Sequence, residues 1–165
     1  MENLKTKEFE NLIGSHKGIL ISVSRNYSYC EEEQRDLFQE IMLQAWRSFA
    51  TYNSDFKFST WLYRVSLNVA ISYVRKKTSE QRKLAAFEKE PVIATENNEP
   101  IEQFIQLERL LKKLCPLDRA LILMQLDGLE HGAIADVMHI SKSNVSTRLV
   151  RIKEQLVLMN KRKKL

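Results

Sequence analysis

A chain of 165 residues, 44% hydrophobic and 28% charged, with a net charge of +5, suits one ordinary soluble domain or two small ones, excludes a disordered chain and favours an anionic partner. Two cysteines (Cys30, Cys115) without CxxC spacing and three histidines (His16, His131, His139) without metal-ligand spacing speak against a disulfide framework or a zinc site, so no cofactor or metal is expected. No apolar run is long enough to span a bilayer and MENLKTKEFE lacks a secretory core, so the expected setting is reduced and cytoplasmic.

With 4 glycines and 3 prolines, punctuation is scarce and the chain should be mostly helical. The first helix is expected from about Thr6 to Arg25, on the spacing of Phe9, Leu12, Ile13, Leu20 and Val23. NYSYCEEE breaks it. A second helix runs from about Glu32 to Phe49, opens on acids that suit a helix N-terminus, and carries an apolar face of Leu37, Phe38, Ile41, Met42, Ala45 and Phe49. After ATYNSDFKF comes a third helix to about Lys77, with Ser59 or Thr60 as N-cap and Leu62, Val65 and Val69 as the buried stripe. The acidic stretch from Glu88 to Pro100 reads as an exposed linker and the domain boundary. Ile101, Phe104, Ile105, Leu107, Leu111 and Leu114 start a further stripe. Pro116 opens the next helix, where its missing N–H costs nothing, and Gly128 closes it in the C′ position. No strand pattern and no internal repeat appears. The expected class is all-α, two small helical domains joined by a flexible linker: residues 1–80, a linker over 81–103, and residues 104–165.

The run HGAIADVMHISKSNVSTRLVRIKEQL fits a helix-turn-helix. A short helix from Glu130 to Met138 buries Ile134, Ala135 and Val137. His139 takes the turn position where a left-handed backbone is usual, Ile140 plugs the core and Ser141 caps the second helix. There Val145, Leu149, Ile152 and Leu156 point inward, and Lys142, Ser143, Asn144, Ser146, Thr147, Arg148 and Arg151 face out. Short polar groups at the N-terminal end of a second helix suit base edges in a major groove, and arginines further along suit phosphates or a guanine. An αα-hairpin with a solvated basic face is the plainer reading. The small Ala135 at the crossing, the Ser141 cap and the hydroxyl-rich face together favour DNA. The KRKK tail at 161–164 is left as a solvated terminus.

The order of these segments resembles bacterial RNA polymerase sigma factors of the extracytoplasmic-function (ECF) group over nearly the whole chain. DLFQEIMLQAW (Asp36 to Trp46) resembles the segment that docks on the polymerase clamp. FSTWLYRVSLNVAISYVRKK (Phe58 to Lys77) resembles the segment that melts and reads the promoter −10 element, and Leu114 to Leu156 resembles the domain that binds the −35 element. The chain departs from the family in having His139 rather than Gly in the turn, Glu130 rather than Ser or Thr before the first helix, and Gly132 and Ala133 where acids are common.

The resemblance implies an alternative sigma factor, not an enzyme. Its partners would be core RNA polymerase (clamp helices and flap), promoter DNA and an anti-sigma factor, with no small-molecule substrate. Asp36, Gln39, Glu40 and Leu43 would form the clamp-docking face, which taken alone reads as a solvated surface. Arg64, Asn68, Ser72 and Arg75, with Lys76 beside them, would form the −10 surface, and Asn53 and Lys57 belong to the loop that would hold a flipped-out base. The aromatics at the start of this segment (Phe56, Phe58, Trp61, Tyr63) could stack on or wedge beside unpaired bases, with Phe58 and Trp61 assigned rather to the core. The linker is equally a threading segment or a solvated tether. The rivals are a stand-alone helix-turn-helix regulator and an all-helical adaptor.

Overall fold

The computed structural model describes residues 2–84 and 99–162, and these form seven α-helices with no strand among the described residues. In chain order they are α1 (Glu2–Tyr27), α2 (Glu31–Ser48), α3 (Phe58–Leu84), α4 (Glu99–Lys113), α5 (Pro116–Leu126), α6 (His131–Met138) and α7 (Lys142–Arg162). The all-α expectation holds. Helix α3 continues past Lys77 to Leu84 and helix resumes at Glu99, so both flanks of the expected linker are helical. Residues 85–98, the rest of that linker, lie outside the described residues.

Helices α1, α2 and α3 pack as a three-helix unit. Phe9, Ile13, Leu20 and Val23 of α1 meet Leu37, Ile41 and Ala45 of α2, as their spacing predicts. The buried face of α3 differs from the expected one. It consists of Leu62, Tyr63, Ser66, Leu67 and Ala70, while Val65 and Val69 are only partly buried. Apolar residues lie nearly all round α3, so hydrophobicity left its rotation open. Small Ser66 and Ala70 settle it by letting the neighbouring helices approach. The start of α3 is also corrected: the Lys57 carbonyl accepts the N–H groups of Thr60 (3.1 Å) and Trp61 (3.3 Å), and neither Ser59 nor Thr60 caps. An aromatic node fixes the connection into it, with Phe9 against Phe49 and Trp46 at 5.1 Å and Phe58 against Trp61 at 5.2 Å between centroids.

The C-terminal unit is built on local stop signals. Gly128 has φ 81, and the Leu129 and Gly128 N–H groups bond the carbonyls of Met124 (3.0 Å) and Gln125 (3.1 Å), which is a Schellman motif. His139 repeats the device at φ 54, with Ile140 N–H on the Ala135 carbonyl at 3.2 Å.

The two units pack on each other, α3 against α5 and α6, and α1 against α4 and α5. Arg119 lies in the seam, 3% exposed. It donates to the carbonyls of Leu111 (3.0 Å), Lys112 (2.5 Å) and Leu114 (3.1 Å) and, across the seam, of Asn26 (2.9 Å). Those carbonyls belong to the C-terminal ends of α4 and α1, so a guanidinium with no carboxylate partner among the described residues sits between two negative helix termini. Its partner Tyr27 is fully buried, donates to the Pro116 carbonyl at 2.6 Å and lies under the guanidinium at 5.1 Å. Burial pushes the Tyr27 hydroxyl well above the usual phenol range, so it remains a donor.

Arg119→Met should remove the donor from the buried Asn26 and Leu114 carbonyls and the partly buried Lys112 carbonyl, and cost about 3 kcal/mol or more in chemical denaturation; a loss below about 1 kcal/mol would contradict this account. A second test concerns Glu33, whose carboxylate accepts from Lys77 of α3 and from the Tyr29 N–H at 2.9 Å. Burial pushes its pKa up, but the Lys77 bond and charge outweigh this and hold it below its ordinary 4.5. Its contribution is therefore complete above pH 4.5 and is lost as pH falls through the lower folded value. Glu33→Gln should lower stability at neutral pH and flatten the acid limb of the stability–pH curve.

Candidate nucleic-acid interface

Helix α3 carries Arg64, Asn68, Ser72 and Arg75 along one side, because steps of three and four residues keep a helical face. Asn68, Ser72, Arg75 and Lys76 are exposed. Arg64 is not free: its Nη2 donates to the Asp136 carbonyl of α6 at 2.8 Å, and its Nε is buried without a partner among the described residues. Asn68, Ser72 and Lys76 open onto a groove of about 930 Å³ between α3 and α2. The opposite wall is Asp36 and Glu40 of the expected docking face, and Trp61, Val65 and Val69 line the floor. All four docking candidates are exposed, with Leu43 at 42%. Asp36 and Glu40 of one expected face and Arg64, Asn68, Ser72 and Lys76 of the other thus line one groove.

The loop before α3 is self-contained. The Asn53 side-chain oxygen accepts the Asp55 N–H at 3.0 Å and its amide donates to the Asp55 carboxylate at 3.1 Å, so Asn53 is an Asx-turn residue first. Lys57 is exposed. Of the aromatics that open this segment, Phe56 is 67% exposed, with its carbonyl held by the Tyr52 hydroxyl at 2.8 Å, whereas Tyr63 is buried. Phe58 is buried as expected; Trp61 packs on the core with one side on the groove.

In the helix-turn-helix, Val145, Leu149 and Ile152 are buried and Leu156 is partly so. Ser141 Oγ accepts the Asn144 N–H at 3.2 Å, the expected cap. Lys142, Ser143, Asn144, Thr147 and Arg151 are exposed. Two of the outward set are partly buried and bonded to residues of other helices, while the Thr147 hydroxyl donates to the Ser143 carbonyl at 3.0 Å. Arg148 is partly buried and pairs with Asp118 of α5 at 2.6 Å. Ser146 Oγ donates to the Lys142 carbonyl at 3.2 Å and lies 2.9 Å from Nδ1 of His131. His131 thus ties the start of α6, whose N-cap Glu130 makes no side-chain cap bond, to the second helix.

A three-helix unit with an exposed polar line is followed by a four-helix unit ending in a helix-turn-helix, the architecture of a two-part DNA-binding factor. The sigma-70 region 2 pattern matches residues 12–80, and the sigma-70 region 4 pattern matches residues 104–156. The chain is 28% identical over 170 residues to an ECF RNA polymerase sigma-E factor of Haemophilus influenzae, covering 93% of this chain and 84% of that one. It is 26% identical over 142 residues to the ECF sigma factor SigW of Bacillus subtilis, covering 75% and 73%. The fold matches sigma factor RpoE of Bartonella quintana, solved with the anti-sigma factor NepR, at a TM-score of 0.73, 18% identity and 98% coverage of both chains. It also matches CnrH, solved with the cytosolic domain of CnrY, at 0.70, 20% identity and coverage of 94% and 89%. The chain belongs to the ECF group of sigma factors and is an alternative sigma factor that directs transcription initiation.

The His139 turn is a built-in cost, since the left-handed conformation disfavours a Cβ by about 1–2 kcal/mol. His139→Gly should raise stability by up to about 1 kcal/mol, read as a higher denaturation midpoint with an unchanged slope. A drop would mean that the imidazole makes a compensating contact.

Proposed function

We propose that the exposed faces divide the work of initiation between the two units. Asp36, Gln39, Glu40 and Leu43 dock on the polymerase clamp, and region 4 contacts the flap. Asn68, Ser72, Arg75 and Lys76 follow the opened −10 strand, joined by Arg64 once it leaves Asp136. Phe56, Asn53 and Lys57 form the loop that receives an unstacked base, with the exposed Phe56 ring as its stacking platform. Lys142, Ser143, Asn144 and Thr147 enter the −35 major groove, while Arg151 and Arg148 approach phosphates, the latter aimed by Asp118. The observation that carries this reading is the amide, hydroxyl and ammonium line of α3 opening on a groove walled by Asp36 and Glu40 of α2. A helix held there by polymerase sets its reading face beside the enzyme. Each unit can then bind DNA weakly, since tethering supplies effective concentration.

The proposed setting is cytoplasmic. No described helix is long and apolar enough to cross a membrane. Relatives of the same fold solved with an anti-sigma factor support restraint by a partner of that kind here.

In vitro transcription with core polymerase on a genomic library, with start sites mapped, tests the reading. Asn144→Ala and Asn68→Ala should each lower promoter-specific initiation by about ten-fold, in line with ~1–3 kcal/mol per base contact, while leaving polymerase binding intact. Leu43→Asp should instead abolish polymerase binding. Tight binding of duplex promoter by the chain alone, unaffected by polymerase, would favour a stand-alone regulator.

A further inference from the structure

The first helix of the helix-turn-helix is weakly built from within. Glu130 stands at the N-cap of α6 with no side-chain cap bond, and Gly132, a poor helix former, takes the second position. A Cβ at Gly132 would meet nothing within 4 Å, so no close approach requires the glycine. The far end stops on His139 in the left-handed region. What holds the first turn is one side chain. His131, half-buried, has Nδ1 at 2.9 Å from Ser146 Oγ of α7 and Nε2 at 3.3 Å from Gln125 Oε1 of α5. A hydroxyl and an amide can each give or take a hydrogen bond, so both ring nitrogens have a partner. Ser146 Oγ donates in turn to the Lys142 carbonyl at 3.2 Å. These bonds make a strut from the end of α5, across the start of α6, to the N-terminal end of α7.

That end of α7 is where position matters most. In a helix-turn-helix the first residues of the second helix meet base edges. Val145, Leu149 and Ile152 hold α7 in the core, but apolar contact is non-directional and leaves a helix some freedom to slide and roll. Hydrogen bonds to base edges weaken steeply with misalignment, whereas the long side chains of Arg148 and Arg151 can follow a phosphate through such a shift. A directional bond at Ser146, between the core residue Val145 and the exposed Thr147, supplies the missing restraint.

We propose that His131 is a positioning residue for promoter reading. Through Ser146 it sets Lys142, Ser143, Asn144 and Thr147 against the major groove. It thereby decides which bases are accepted rather than how tightly the duplex is held. This rests on the assignment of α7 to the −35 element above.

The test uses holoenzyme assembled from core polymerase and the full chain. Initiation is measured in competition between a promoter taken from the start-site mapping and the same promoter with single-base changes in its −35 element. Chemical denaturation confirms that each variant folds. At the most sensitive position the wild type should prefer the parent promoter by about ten-fold or more, in line with one mismatched base pair. His131→Ala should reduce that preference to about three-fold or less, with polymerase affinity and the salt dependence of promoter binding unchanged, because the phosphate contacts stay. Asn places its amide where the imidazole holds Nδ1, so His131→Asn should restore the preference. Ser146→Ala should lose as much as His131→Ala, and the double variant no more than either, since both remove one bond. If His131→Ala does not fold, Ser146→Ala and His131→Asn carry the same expectations. An undiminished preference in folded His131→Ala, additive losses in the double variant, or no restoration by His131→Asn would overturn the proposal and leave the −35 assignment standing. A wild type with no preference at any −35 position would instead overturn that assignment, and the positioning role with it.

Discussion

The Arg119 guanidinium holds the architecture at the point where two helices end. Its donors go to carbonyls at the C-termini of α4 and α1, where a helix runs out of N–H groups to meet them. One side chain thereby closes the α4–α5 corner and attaches it to the N-terminal unit. The arrangement suits arginine and not lysine, because a planar fork can serve several carbonyls at once while the aromatic face of Tyr27 covers its plane. Without it the seam would bury bare carbonyls. With it, the seam positions Asp127 and Asp136 against α3.

That seam links packing to function. Helix α3 belongs to the core through Leu62, Leu67 and Ala70, to a groove through Asn68 and Ser72, and to region 4 through Tyr63 and Arg64. Three surfaces on one helix constrain each other, since a rotation that improves one exposes another. The same economy appears in α7, where Val145 and Leu149 anchor the helix while Asp118 and His131 hold Arg148 and Ser146 from behind. The residues left exposed at its N-terminal end, Lys142, Ser143, Asn144 and Thr147, are those placed to meet base edges.

The sequence by itself determined whatever depends on neighbours within one turn. Gly128, His139 and Ser141 fix backbone angles and caps through bonds three to five residues long, so the turn, the cap and the outward face of α7 were legible. The stripes of α1 and α2 were legible too, because each has one apolar side. Tertiary structure alone decided the rotation of α3, whose apolar residues lie nearly all round, and the burial of a charged Arg119. It also decided the capture of Arg64 by a carbonyl 72 residues away. Spacing carries no information about such contacts: a buried cation or a masked arginine is stable only when remote helix ends arrive to meet it.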